Sequence, residues 1–184
     1  MTVARATLQI RMGDEVESEV ETVGTEPKVY AWIVPGEVAV AERPGGGGAS
    51  HRRDRRQAEQ DWWRSQGVRA IVSGMQSRHG LVEYALGGFA IAWHPLTAVE
   101  SVERELPPLV AAVLRFREER PDDAVLVHVD RPNQWLAGVD GALRIALGVA
   151  PDPAAALAGA GLDGLPLGPL AAAMVNTARA PAGV

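Results

Sequence analysis

Short β-type runs and segments with helical periodicity alternate along the chain from residue 28 to residue 148. The β-type runs cover residues 28–34, 37–41, 68–73, 81–86, 89–93 and 124–129. The helical segments cover residues 51–66, 107–120 and 135–147. Such alternation is typical of α/β domains, because each helix can cross back over a sheet and cover one of its faces. The sequence therefore predicts an α/β sheet with helices on both faces.

Glycine and proline mark the ends of several predicted elements. Pro35 and Gly36 form a turn dipeptide between the first two strands, and Gly67 follows the first helix where a left-handed residue is favoured. Pro107 suits the first turn of the second helix. Residues 97–105 before it are therefore expected to be a loop or a short helical piece.

The two ends of the chain differ in composition from its middle. Residues 2–11 alternate roughly and predict a half-buried strand, whereas residues 13–26 hold six acids and no base. The acidic stretch is interpreted as a solvated loop or hairpin or, alternatively, as an acidic docking arm. Residues 150–178 are rich in Ala, Gly and Pro. The predicted parts are an N-terminal strand and acidic loop at 1–27, a folded domain at 28–161, and a tail at 162–184 that includes helical candidates.

Charge and cysteine content exclude several classes of function. The formal net charge is −5, which argues against a protein that coats nucleic acid. The 184 residues include no cysteine, so disulfides, Cys-ligated zinc, iron–sulfur clusters and a cysteine nucleophile are excluded. The four histidines lack metal-site spacing, and no apolar stretch approaches the roughly 20 residues of a membrane-spanning helix. We expect a soluble cytoplasmic protein without metal or cofactor.

The order of these segments resembles the dual-specificity branch of the protein tyrosine phosphatases. The resemblance covers residues 29–161 and rests on a series of matching pieces. They are the strand and turn at 32–36, the helix end at 67–68, the strand at 70–73, Glu83-Tyr84, Trp93-His94-Pro95-Leu96 before the family's general-acid loop, and the strand at 125–128. The resemblance implies a three-layer fold with a central mixed sheet and helices on both faces.

That family's catalytic signature is His-Cys, two residues, Gly, two residues, Arg, then Ser or Thr. The Cys is the thiolate nucleophile, the Gly helps backbone N–H groups wrap the phosphate, and the Arg grips two phosphate oxygens. A separate Asp protonates the leaving oxygen. Of the signature residues only His128 is present. Val129 stands at the Cys position, Pro132 at the Gly position, Trp135 at the Arg position and Leu136 at the Ser/Thr position.

The loop and the general-acid region are degenerate as a whole. The loop reads His128, Val129, Asp130, Arg131, Pro132, Asn133, Gln134 and Trp135, and Thr97 and Ala98 occupy the general-acid region. Valine cannot act as a nucleophile, proline removes an N–H group, and Asp130 adds a carboxylate where a dianion would sit. The Trp135 indole is large enough to fill the space of the missing arginine. The resemblance therefore predicts the fold without the activity, which is a pseudophosphatase acting as a non-catalytic binding or regulatory module.

Other roles for the same residues stay open. His128 is expected to be structural and oriented by hydrogen bonds beneath the loop, and Asp130 is a candidate cap for the following helix. Arg131 is a candidate replacement for the missing arginine. The remodelled pocket could instead serve a small-ligand or anion sensor. A further alternative is an enzyme of different chemistry, with His128 and Asp130 as a proton-transfer pair.

The expected partner is another protein, with no role for a membrane or nucleic acid. Four arginines at the start of the first helix are candidate contacts to an acidic surface on that partner. They are Arg52, Arg53, Arg55 and Arg56, and they are expected to be exposed. A cleft filled by Trp135 would favour the binding module, whereas an open cleft with converging polar groups would favour the sensor or the enzyme.

Overall fold

A computed structural model describes residues 24–45, 53–78, 80–130, 133–159, 165 and 167–178. The strands are β1 (Tyr30–Val34), β2 (Val38–Glu42), β3 (Val68–Ser73), β4 (Ala90–Trp93) and β5 (Ala124–Val129). The helices are α1 (Arg53–Ser65), α2 (Leu81–Leu86), α3 (Val102–Glu119), α4 (Gln134–Ala146), α5 (Pro153–Ala158) and α6 (Pro169–Thr177), with a 3-10 turn at Val99–Ser101. The predicted strand at 2–11 lies outside the described residues, as does most of the acidic stretch 13–26.

The five strands form one mixed sheet in the order β1-β2-β5-β3-β4. β1 and β2 are an antiparallel hairpin whose turn includes Gly36 at a φ of +76°, while the other neighbouring pairs are parallel. Because β2, β3 and β5 run in the same direction, their carboxyl ends meet at one edge of the sheet. This arrangement confirms the predicted α/β fold with a central mixed sheet.

Both faces of the sheet are covered by helices, because successive side chains of a strand point to opposite faces. On one face, Val125 and Val127 of β5 pack with α3 and α4. On the other face, Leu126 packs with Trp63 of α1 and Tyr84 of α2. The central strand is therefore apolar on both sides, as expected for a strand buried between two layers.

The predicted strand at 81–86 is wrong, because these residues form the helix α2. Gly80 precedes the helix at a φ of +85°, and Tyr84 is the buried residue of the helix while Val82 and Leu86 are exposed. A six-residue apolar run cannot be assigned to strand or helix by periodicity alone. Here the burial of one aromatic side chain, Tyr84, favours the helix.

The predicted start of α3 at Pro107 is also wrong. The helix begins at Val102 and contains both Pro107 and Pro108. Burial of Val102 and Leu106 against the core draws an additional turn into the helix, and both prolines lie on its exposed side. The hydrogen bonds that proline cannot make are therefore lost where water can replace them.

The helix α6 lies within the C-terminal range 162–184 and packs against α4. A β-carbon on Gly138 of α4 would overlap the sulfur of Met174, and one on Gly141 would crowd Val175. The two glycines thus allow a close approach of the helix backbones. None of the helices in the described part of the chain has the length and apolarity needed to cross a membrane.

Candidate functional site

The candidate site lies at the edge where β2, β3 and β5 end. His128 pairs in register with Ser73 of β3, and Val129 pairs with Glu42 of β2. Just beyond the strands, the Gly74 N–H donates to the His128 carbonyl at 2.9 Å, and the Arg43 N–H donates to the Val129 carbonyl at 3.1 Å. In open α/β sheets this edge is where ligands bind.

The helix α4 leads away from this edge and is capped by Asn133. The Asn133 side chain accepts a hydrogen bond from the Trp135 N–H at 3.0 Å. The expectation that Asp130 caps the helix is therefore wrong. Asp130 is half-exposed and instead forms an ion pair with Arg43 at 2.9 Å. The remaining loop residues, Arg131 and Pro132, lie outside the described residues.

A cleft of about 180 Å³ remains between the loop and the neighbouring strand ends. Its lining includes Gly74, Gln76, Leu96, Val129, Asp130, Asn133 and Trp135. Trp135 is partly buried and is one of the lining residues, so the cleft stays open beside it. Three of the lining residues, Gln76, Asp130 and Asn133, bring polar groups to the cleft.

His128 faces away from the cleft, because it alternates with Val129 along β5. Its ring is completely buried, with centroids 6.4 Å from Trp63 and 5.5 Å from Tyr84. Burial lowers the pKa of His128 to about 3, so the imidazole is neutral at physiological pH. Neither ring nitrogen has a hydrogen-bond partner among the described residues. The ring is buried as expected for a structural residue, but packing rather than hydrogen bonding orients it.

The alternative proton-transfer pair is therefore not assembled. The Asp130 carboxylate lines the cleft, whereas the neutral His128 ring lies in the core between β5, α1 and α2.

In the general-acid region, Thr97 binds the side-chain carboxylate of Glu105. The N–H and hydroxyl of Thr97 both donate to the Glu105 carboxylate at 2.7 Å. Although partial desolvation opposes the effect, the hydrogen bonds from Thr97 and Arg104 lower the pKa of Glu105. Glu105 is thus an ionised acceptor, and Thr97 and Ala98 supply no acidic proton.

Two of the four arginines of the predicted cluster, Arg55 and Arg56, form ion pairs within the chain. Arg55 contacts the buried Glu59 at 2.7 Å, and Arg56 contacts Glu83 at 3.2 Å. The expectation that the whole cluster is exposed is wrong for these two side chains. Arg53 is exposed, and Arg52 lies outside the described residues.

Sequence reasoning missed Arg43 and Gln76. Arg43 directly follows β2, and its nearness to Asp130 depends on the pairing of β2 with β5. A signal existed, because Arg43 and Asp130 each lie within two residues of the end of a predicted strand, at 37–41 and 124–129. The groups of His, Cys, Asp or Glu that could hold a metal ion are absent from the described ranges.

Comparison with known structures places this arrangement in a known fold. Human DUSP28 is similar, with 16% identity, a TM-score of 0.60, and coverage of 83% of this chain and 93% of that chain. PTPMT1 in complex with PI(5)P is similar, with 15% identity, a TM-score of 0.58, and coverage of 80% and 93%. The chain has the dual-specificity phosphatase fold.

A third solved structure is similar at a lower sequence identity. A leucine rich repeat and phosphatase domain containing protein from Entamoeba histolytica is 9% identical, with a TM-score of 0.57 and coverage of 84% and 90%. No family model and no curated protein matches the sequence. The likeness is thus one of fold, and within that fold the absence of cysteine is compatible with an inactive form.

Proposed function

We propose that the chain is a pseudophosphatase, a non-catalytic binding or regulatory module on the dual-specificity phosphatase fold. The observation that carries this proposal is the residue at the nucleophile position. Val129 is 3% exposed and lines the cleft where the family has its cysteine, and the chain has no thiol elsewhere. A phosphoryl group arriving in this cleft would meet a hydrocarbon side chain and could form no covalent intermediate.

The charges around the cleft also favour a non-catalytic role. The family's phosphate-gripping arginine is replaced by Trp135, and the Asp130 carboxylate lies beside the cleft. A phosphate dianion entering the cleft would therefore lose a bidentate grip and gain a repulsive neighbour. Arg43 already contacts the Asp130 carboxylate, so an incoming anion would compete with it for that guanidinium.

A leaving group would find no proton donor in the general-acid region. The carboxylate that contacts Thr97 belongs to Glu105, and its lowered pKa keeps it ionised. Even a nucleophile supplied by mutation would thus leave the departure of an alkoxide unassisted.

The open cleft favours a second candidate, a binding site for a small neutral or zwitterionic molecule. Its volume of about 180 Å³ exceeds that of a few water molecules, and Gln76 and Asn133 bring amide groups to it beside the Trp135 indole. Such a site combines an apolar wall with a few polar groups, which is the usual composition of small-ligand pockets.

The activity test uses the purified full chain with an activated aryl phosphate. We expect no hydrolysis above the buffer rate, and no difference between the wild type, Val129→Ala and the control Leu86→Ala, an exposed α2 residue outside the cleft. Hydrolysis by the wild type and Leu86→Ala that disappears in Val129→Ala would overturn the proposal.

Another protein is the proposed partner, and its contact with the cleft can be tested by substitution. Capture of a protein from the native host should weaken at least tenfold with Trp135→Ala and stay unchanged with Leu86→Ala. Equal capture by both variants would place the contact elsewhere. An acidic surface on the partner would contact Arg52 and Arg53, so Arg52→Ser with Arg53→Ser should reduce the salt dependence of binding.

A further inference from the structure

A second, larger groove runs between α3 and α6. It has a volume of about 1030 Å³, and among the described residues it shares no lining residue with the cleft. Its lining includes the buried Leu106, the half-buried Val110 and the exposed Ala173, together with Val99 and Leu114, which are 53% and 39% exposed. Exposed apolar side chains that line one groove are typical of a surface that another segment covers.

The charged groups of this groove are acidic. Glu100 and Glu103 line it, and neither carboxylate has an ion pair among the described residues. The arginines of α3 do not offset them, because Arg104, Arg115 and Arg117 contact Glu105, Glu119 and Glu37. The helix α6 carries no charged residue.

The groove thus combines apolar side chains with two carboxylates that form no ion pair among the described residues. A segment that fits it carries apolar residues and positive charge.

We propose that residues 2–12 of the same chain occupy this groove. They include Val3, Leu8 and Ile10 as apolar residues, Arg5 and Arg11 as basic residues, and no acid. The neighbouring residues 13–23 hold five acids and would be repelled by the carboxylates of the groove. Charge complementarity therefore favours residues 2–12 as the occupant of the groove over residues 13–23.

The chain is long enough for this contact. The described part begins at Gly24, which lies against α1, and the Thr25 N–H donates to the Ala58 carbonyl at 3.0 Å. The eleven residues 13–23 can span about 36 Å when extended. A 150-residue domain has a radius of gyration of about 15 Å, so residues 13–23 can pass round the sheet from the α1 side to the α3 side.

Paramagnetic relaxation in solution tests the proposal, because the chain has no cysteine and a single spin label can be placed by Thr7→Cys. In the isotope-labelled full chain, the amide signals of Val110, Leu114 and Ala173 should broaden several-fold more than those of α1. The substitutions Leu8→Asp and Ile10→Asp, in the same labelled chain, should remove that difference. Equal broadening of both helix surfaces, or none, would overturn the proposal.

Two further samples separate this outcome from its alternatives. In a mixture of spin-labelled and isotope-labelled chains, broadening as strong as in the single chain would show that a second copy fills the groove, which would overturn docking in cis. Glu100→Gln with Glu103→Gln should reduce the broadening, whereas Glu118→Gln, a matched exposed residue outside the groove lining, should not. An equal effect of both changes would remove the electrostatic basis of the proposal.

Discussion

The Arg43 guanidinium lies 2.9 Å from the Asp130 carboxylate, beside the cleft of the degenerate loop. The register of β2 and β5 produces this contact, because Glu42 pairs with Val129 and each residue that follows leaves the sheet at the same edge. The carboxylate of the loop is therefore paired with the guanidinium of the residue that follows β2.

Replacing Asp130 by Asn should increase the affinity of the cleft for a simple anion. The change removes a carboxylate that repels anions and competes for Arg43, and it should alter stability by less than about 1 kcal/mol because the pair is partly exposed. Sulfate titration followed by thermal unfolding measures the effect. The matched control is Glu118→Gln, which removes an exposed charge from α3. A sulfate-dependent stabilisation equal in Asp130→Asn and the control would contradict this expectation.

The burial of His128 predicts a rise in stability with pH. The folded-state pKa of about 3 lies below the ordinary value of 6.5, so between these values the unfolded chain binds the additional proton. The free energy of unfolding should therefore be fully retained above pH 6.5 and decline as pH falls towards 3, by at most about 1.4 kcal/mol per pH unit.

Urea unfolding at several pH values tests this dependence. His128→Phe should remove the contribution of this residue, whereas His94→Gln, at a partly exposed position, should keep most of it. Identical slopes for the wild type and His128→Phe would show that other groups cause the loss of stability in acid.

The contact of Gly138 with Met174 can be tested by a matched pair of substitutions. Gly138→Ala should destabilise the chain by about 1–3 kcal/mol, because the added methyl overlaps the Met174 side chain and outweighs the gain in helix propensity. In a Met174→Ala background the same change should cost less, and urea midpoints measure both. A cost that is unchanged in that background would show that the two residues do not meet.

Restoring the signature residues should not restore activity. In Val129→Cys with Trp135→Arg, Asp130 still repels a dianion, residue 132 is still proline, and Glu105 remains an ionised acceptor beside Thr97. A pre-steady-state assay of the folded variant with an activated aryl phosphate measures the amount of phosphocysteine. A stoichiometric burst would show that the loop still holds phosphate, contrary to the proposed damage.

The elements predicted best were those with long and regular patterns. The strand predicted at 124–129 agrees with β5, and the helix predicted at 135–147 agrees with α4 to within one residue at each end, because both are apolar over enough residues to fix their period. The errors at α2 and at the start of α3 have a different origin. In both cases burial against distant residues, through Tyr84 and through Val102, decides a boundary that local propensity leaves open.

The sequence predicted which residues form the candidate site, but not how their side chains are arranged in space. The residue order placed Val129 and Trp135 in the degenerate loop, and both line the cleft. The sequence left open whether Trp135 fills the cleft, and the structure shows an open cleft beside it. The Asp130–Arg43 contact needed the strand pairing, which joins residues that are distant along the chain.

The close contact of α4 and α6 links the cleft to the far end of the chain. Gln134 begins α4, and its side-chain oxygen accepts a hydrogen bond from the Leu170 N–H of α6 at 3.2 Å. The described lining of the cleft includes no residue of α6, yet α6 fixes the axis of the helix that carries Trp135. A protein that bound and displaced α6 would therefore shift α4 and change the width of the cleft, without touching any residue inside it.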